Sequence, residues 1–221
     1  MEWYSKITDL YAQIPLVKIN EQLLILDEKI HLHRDIWESR KLQVLSRLDS
    51  IFNINTDNIY ARNTEVISIS KPEAKQFLDT NHLMGFGGGK TFIGLRDDTE
   101  LVAVAAFSKI LLMKYEQPPY NSVELERYCS LQGTTVVGGL DKLIKAYLNE
   151  NNVDDIITYV DKEWSDGSSY LNLGFKAIGE TEPLTFMVDP LKWRRKLYKG
   201  SLEKGSYLVK NQGNIKMRLV V

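Results

Sequence analysis

Glu124 and Glu126 stand two residues apart in Val123-Glu124-Leu125-Glu126-Arg127-Tyr128-Cys129-Ser130-Leu131, a run that reads as a β-strand. Alternation puts Glu124, Glu126, Tyr128 and Ser130 on one face and Val123, Leu125, Arg127, Cys129 and Leu131 on the other. Carboxylates on the face of a central strand are rare where that face is buried. One of them could take a proton from an amine nucleophile, directly or through water. The alternative is structural: an ion pair with Arg127, or plain exposure to solvent. Downstream, Thr134-Thr135-Val136-Val137-Gly138-Gly139 leads into Leu140-Asp141-Lys142-Leu143-Ile144-Lys145. A glycine turn from strand to helix aims free backbone N–H groups at a common point, which suits a phosphate-bearing ligand. The same glycines would also let a helix pack closely on a sheet.

Other candidates are more ambiguous. His82 ends a predicted helix, where the dipole favours a protonated imidazole. It could be a base, a metal ligand or a cap. One histidine does not make a metal site, and none is expected. His31 and His33 lie far away in sequence and read as surface strand residues. Asp161 falls at the C-terminal end of a predicted strand, a frequent place for site residues in α/β sheets. Asp161 to Gly167 could equally be a turn built from Asp, Ser and Gly. Cys129 sits beside apolar residues and is expected to pack rather than attack. Gly85-Phe86-Gly87-Gly88-Gly89-Lys90-Thr91 has the composition of a P-loop, but Met84 stands where that pattern needs glycine. Its context is also reversed, with a helix before and a strand after. It reads instead as a mobile loop at the mouth of a site.

These residues need elements to hold them. Leu16 to Asn20 and Gln22 to Asp27 predict a hairpin turning at Asn20-Glu21. Asp35 to Phe52 predicts one helix with Ile36, Trp37, Leu42, Val44, Leu45 and Leu48 roughly on its apolar face. After the polar run Asn53 to Asn58, Ile59 to Ile69 predicts a strand. Ser70-Lys71-Pro72-Glu73 is a helix start, with Ser70 as N-cap, Pro72 in the first turn and Glu73 completing a capping box. That helix runs to about Leu83. Strands follow at Phe92 to Leu95 and Leu101 to Phe107, then a loop at Gln117-Pro118-Pro119 and the strand Val123 to Leu131. The helix after the glycine turn reaches about Asn149. Ile156 to Val160, Phe175 to Gly179 and Thr185 to Val188 are further strands, with a short helix at Ser168 to Leu173. The order predicts an α/β protein with a mixed, α+β-like sheet rather than a doubly wound one.

Bulk properties narrow the class. The 28 basic and 29 acidic residues nearly cancel, so no global field draws the chain to nucleic acid. From Leu191 onward, however, nine basic residues face only Glu203. That segment is either a solvated tail or a basic arm, with Lys192, Arg194, Arg195 and Lys196 able to meet phosphates. Cys129 is the only cysteine, so no intrachain disulfide or thiolate zinc cluster can form, as suits a reducing cytoplasmic setting. The first residues carry no signal pattern, and Leu101 to Phe107 is too short to cross a bilayer. A cytoplasmic protein without a membrane partner is expected.

The helix, the antiparallel strands, the strand–glycine turn–helix–strand and Tyr170-Leu171-Asn172-Leu173-Gly174-Phe175 together resemble the GNAT acyltransferase superfamily, over roughly residues 64 to 188. The resemblance implies a GNAT-like acyl-CoA N-acyltransferase fold and acetyl-CoA or another acyl-CoA as cofactor. The family's turn, Q/R-x-x-G-x-G/A, aligns with Thr135 to Leu140. Gly138 matches, Thr135 replaces Gln or Arg, and Leu140 replaces the small residue. Val137, Gly138, Gly139 and Leu140 would border the pyrophosphate. Tyr170 would be the general acid that reprotonates the departing thiolate.

A closer resemblance lies in Ile59 to Glu65, Asn81-His82-Leu83-Met84-Gly85, Glu124 to Ser130, Thr134 to Gly139 and Tyr159 to Gly167. These look like the GNAT-like domain of phage and mobile-element proteins and, distantly, like Mom-type DNA modification enzymes. That likeness implies a site lined by Asn81, His82, Asp161 and Trp164, and a nucleobase as one candidate acceptor. Three segments follow: an N-terminal hairpin-helix extension (1–58), a GNAT-like domain (59–190) and a basic C-terminal segment (191–221). The expectation is acyl transfer from acyl-coenzyme A to an amine. The alternatives are nucleic-acid modification or binding, and a non-catalytic accessory domain.

Overall fold

The computed structural model describes residues 3–55, 57–114 and 118–221. The chain forms two compact units, each assembled from separate stretches. The larger takes Leu42–Thr158, Tyr170–Lys176 and Met217–Val221; the smaller takes Met1–Lys41, Tyr159–Ser169 and Ala177–Lys216.

The larger unit is a mixed α/β layer structure. Strands Glu65–Ser68, Thr91–Asp97, Glu100–Phe107 and Tyr120–Ser130 are antiparallel neighbours, and Asp155–Asp161 adjoins the last of them in parallel. The run Val102-Ala103-Val104-Ala105-Ala106-Phe107 is fully buried, because both faces of its strand are covered. Val104 and Ala106 pack with Ala74, Phe77 and Leu78 of helix Lys71–Asn81. The opposite alternation brings Phe107 against Tyr147 of helix Gly139–Glu150, ring centroids 3.9 Å apart and nearly parallel. Truncating such a buried ring to alanine costs about 3–5 kcal/mol. Ser70 caps the first helix by accepting the Glu73 N–H at 3.4 Å. Strand Asn214–Val220 brings Met217 into the core and Arg218 into an ion pair with the buried Asp155.

The smaller unit contains the antiparallel sheet Leu16–Asn20, Leu23–Leu26 and Ile30–His33. A second antiparallel sheet has Thr185–Asp189 between Arg194–Leu197 and Tyr207–Lys210. Leu24, Leu26, Leu32, Trp37, Val188 and Val209 are buried.

Several expectations need correction. Residues 191–221 are not a tail; they supply three strands. The single helix expected over Asp35 to Phe52 is two, Arg34–Ser39 and Lys41–Ile51. Ser39 Oγ bonds back to the Asp35 carbonyl at 2.6 Å, competing with the helical ladder, and Arg40 leaves the helix at φ −138°, ψ 36°. His33 is buried and His31 half-buried, not surface residues. Thr134–Val137 is a short strand, parallel to Asp57–Tyr60, rather than loop. The loop expected at Gln117 to Pro119 begins at a residue outside those described.

Candidate active site

The parallel pairing on the central strand is short. It joins Asp155 to Ser122, Ile156 to Val123 and Ile157 to Glu124, and then stops. One further link follows, where Thr158 Oγ1 donates to the Leu125 carbonyl at 3.0 Å. From Glu126 to Ser130 this edge of the strand has no strand partner among the described residues. Free N–H and C=O groups along an edge can take up an extended ligand as an added strand would be.

At the same point the other edge slips. Ala106 faces Arg127 and Phe107 faces Leu125, so Glu126 is an extra, bulged residue. A bulge re-aims side chains, and the alternation expected through Glu124, Glu126 and Tyr128 does not survive it. The Glu126 carboxylate and Arg127 guanidinium both meet the loop Gly85 to Gly89. A Cβ on Gly88 would lie 3.1 Å from Glu126 Oε2, and one on Gly87 only 2.6 Å from Arg127 Cζ. Arg127 Nε donates to the Gly85 carbonyl at 3.2 Å, and the Phe86 N–H donates to Asp79 Oδ1 at 2.9 Å. Burial lowers the Arg127 pKa, and Glu126 and then Glu124 raise it again. The loop expected to be mobile is pinned, and its glycines serve close approach. Glu124 is half-buried, with its N–H donated to Ser108 Oγ at 3.0 Å.

Tyr128 lies against the start of helix Gly139–Glu150. A Cβ on Gly139 would stand 2.6 Å from Tyr128 Oη and 2.9 Å from Val136 Cγ1. The hydroxyl accepts the Leu140 N–H and bonds Ser130, and burial pushes its pKa up to about 12. Gly138 is the helix N-cap, in the left-handed region at φ 76°, and is exposed. The nearest atom to a Cβ there would be that of Ala61, at 3.9 Å. Tyr60 pairs with Val137, and the exposed Arg62 lies 4.7 Å over the Tyr60 ring. Lys142 Nζ donates to the Ala61 carbonyl at 2.8 Å and to that of Thr64. Thr135 Oγ1 accepts from Asn55 Nδ2 at 3.3 Å. The turn therefore has a side-chain-free corner at Gly138, while the Leu140 amide is already used.

Tyr170 reaches the place where the strands part. Its hydroxyl bonds Thr158, whose own proton goes to the Leu125 carbonyl. Burial raises the Tyr170 pKa. The ring meets Phe175 edge-on at 5.4 Å, and the Phe175 N–H donates to the Tyr170 carbonyl at 3.1 Å. Gly174, at φ 90°, turns the chain between them. The tyrosine is thus both packed and aimed. Cys129 packs on the core beside helix Lys71–Asn81, and burial raises its thiol pKa, so it is no nucleophile.

Asn81 and His82 hold structure. Asn81 Nδ2 donates to the Phe77 carbonyl at 2.8 Å and its Oδ1 accepts the Gln132 N–H at 3.0 Å. His82 is the C-cap, and its Nδ1 accepts the Met84 N–H at 3.0 Å. Among the described residues no cluster of His, Cys, Asp and Glu could hold a metal ion.

Asp161 and Trp164 belong to the smaller unit. Asp161 Oδ1 accepts the Glu163 N–H at 2.9 Å, and its carbonyl accepts from Trp164 and Ser165. Burial pushes its pKa up to about 6. Trp164 is buried. Within the basic segment, Arg195 grips the buried Asp35, and Lys196 pairs with Glu203. Lys192 and Arg194 are exposed. Sequence reasoning missed the His33–Glu163 and Asp35–Arg195 pairs, whose partners are 130 and 160 residues apart.

No family model matches the chain, and no curated protein matches it. Among solved structures it is similar to a histone acetyltransferase HPA2 and related acetyltransferase from Corynebacterium glutamicum, at 12% identity and TM-score 0.43, over 71% of this chain and 95% of that one. It is also similar to a Bacillus subtilis acetyltransferase in complex with CoA, at 14% identity and TM-score 0.43, over 72% of this chain and 99% of that one. No helix among the described residues is long and apolar enough to cross a membrane.

Proposed function

We propose that the larger unit is a GNAT-like acyltransferase that moves an acyl group from acyl-coenzyme A to an amine. The observation that carries this reading is the position of Tyr170, bonded to Thr158 where the parallel strands stop pairing. A hydroxyl placed there stands beside an open strand edge and near Tyr128, which reaches the start of helix Gly139–Glu150.

Acyl-coenzyme A would be held by the backbone edge of Glu126 to Ser130 and by the turn Val137 to Leu140. Gly138 suits the anionic part, because its corner is free of side chains, and the exposed Arg62, two residues after Val137's strand partner Tyr60, would complement the charge. Tyr128 narrows the cradle by taking the Leu140 amide, leaving the amides before it for the ligand. When bound, the cofactor supplies a thioester, an acyl group activated toward amines. Tyr170 keeps its proton at neutral pH, because burial raises its pKa; a general acid must start in that state. Glu126, set out of register by the bulge, is the group to accept the proton of an incoming ammonium, with Glu124 as the alternative on the same strand.

Titration calorimetry with acetyl-coenzyme A tests the reading. Saturable binding below about 1 mM is expected, weakened about tenfold by Arg62→Ala. A flat titration with folded protein at that concentration overturns it.

A further inference from the structure

Strand Lys176–Glu180 pairs on one side with Asn214–Val220 and has no strand partner on the other among the described residues. Every residue of it is exposed, Ile178 to 49%. A Cβ on Gly179 would meet nothing within 4 Å. The outer edge of this strand is therefore uncovered among the described residues.

The existing pairing decides which groups point outward. The Thr181 N–H donates to the Asn214 carbonyl at 2.9 Å. Backbone groups alternate along a strand, so those of Lys176, Ile178 and Glu180 face the open side. Their side chains also share one face. That face reads cation, isoleucine, anion, with only Ala177 and Gly179 between.

A row of free N–H and C=O groups invites another strand, and proteins commonly guard such an edge with charges. Here the two charges are opposite and equally spaced about Ile178. An antiparallel copy centred on Ile178 sets Lys176 against Glu180 of that copy, and Glu180 against its Lys176. The small Ala177 and Gly179 meet on the other face. A parallel copy would set like charges together, and a slip by two residues would set a charge against Ile178. One register alone matches, so the charges select a partner as well as guard the edge. Glu180 Oε2 already takes Lys162 Nζ at 2.6 Å, which leaves Oε1 for a second lysine.

We infer that the chain forms an isologous dimer, in which Lys176–Glu180 pairs antiparallel with the same strand of a second copy. The outward groups of Lys176, Ile178 and Glu180 supply about six N–H···O=C bonds across the two-fold axis. Two ion pairs flank the central pair of isoleucines.

Sedimentation equilibrium of the full chain tests this. A monomer–dimer equilibrium with Kd below about 100 µM is expected. Lys176→Glu and Glu180→Lys each put like charges opposite one another, and each is expected to raise Kd at least about tenfold. Mixed in equal amounts, the two variants should dimerise with each other about as tightly as the wild type, because their strands are then complementary. Both positions are exposed, so the fold is expected to survive, which far-UV circular dichroism checks. A wild type that stays monomeric to about 1 mM overturns the proposal. So does a dimer that both reversals leave intact, since the contact then lies elsewhere. A mixture that stays monomeric overturns it too, since the reversals then act on the fold rather than on the pairing. None of these outcomes depends on acetyl-coenzyme A, so this inference and the acyltransferase reading can fail separately.

Discussion

Arg195 holds Asp35 with two parallel bonds, Nε to Oδ2 at 2.6 Å and Nη2 to Oδ1 at 2.8 Å. Asp35 is 1% exposed, and the guanidinium also lies over the Phe186 ring at 5.4 Å. An arginine so engaged is part of the fold rather than a phosphate contact. Arg195→Met leaves a buried charge unpaired and is expected to cost about 3–5 kcal/mol of stability. Replacing both partners, as Asp35→Leu with Arg195→Met, should recover most of that loss. Urea unfolding of the two single variants and the double variant measures both effects. Arg194→Ala, at an exposed position, should leave stability within about 0.5 kcal/mol.

Tyr170→Phe separates catalysis from packing. The ring keeps its edge-on contact with Phe175, and only the bond to Thr158 goes, a loss of about 1 kcal/mol. If the hydroxyl is the general acid, turnover should fall about 100-fold or more while acetyl-coenzyme A binding is kept. Single-turnover kinetics on wild type and variant, beside calorimetry, give the two numbers. Unchanged turnover would remove Tyr170 from the chemistry and leave it as a packing residue.

Gly139 and Tyr128 compete for one volume. The Cβ introduced by Gly139→Ala would lie 2.6 Å from Tyr128 Oη and 2.9 Å from Val136 Cγ1. A destabilisation of about 1–3 kcal/mol is expected from the overlap. Adding Tyr128→Phe removes one of the two clashing atoms and should return part of the loss. It cannot return all, since Val136 stays. A double-mutant cycle by thermal unfolding reads the coupling directly.

The parts of the fold with local signals were readable in the chain. Ser70, Pro72 and Glu73 announced the start of a helix, and the apolar run to Phe107 announced a strand. Gly138 and the Tyr170 to Phe175 motif marked two corners of the proposed site. The bulge at Glu126 carries no glycine or proline to betray it, so strict alternation put Glu124, Glu126 and Tyr128 on one face. The basic residues after Leu191 masked the apolar positions between them, such as Leu208-Val209 and Met217, which turn that stretch into strands. Arg195 could not be paired with Asp35, nor His33 with Glu163, because nothing local links residues so far apart in sequence. The pair with Glu163 is why His33, expected at the surface, lies in the interior.

Asp161 should leave a mark on the pH dependence of stability. Burial is the main cause that lifts its pKa from 3.8 to about 6, with Glu163 adding to the rise and Arg195 and His33 opposing it. Its bond to the Glu163 N–H also opposes the rise. The native state therefore binds the proton more tightly than the unfolded chain. Between pH 3.8 and about 6 the native state carries more protons, so this group's contribution falls as pH rises through that window. Two pKa units correspond to at most about 3 kcal/mol. Asp161→Asn keeps an acceptor for the Glu163 N–H but cannot ionise. Its stability, measured by urea unfolding at steps from pH 4 to 8, should gain on the wild type as pH rises and level off above about 6.5. A difference that stays constant across the series would mean that Asp161 titrates normally, with its carboxylate better solvated than its half-buried position suggests.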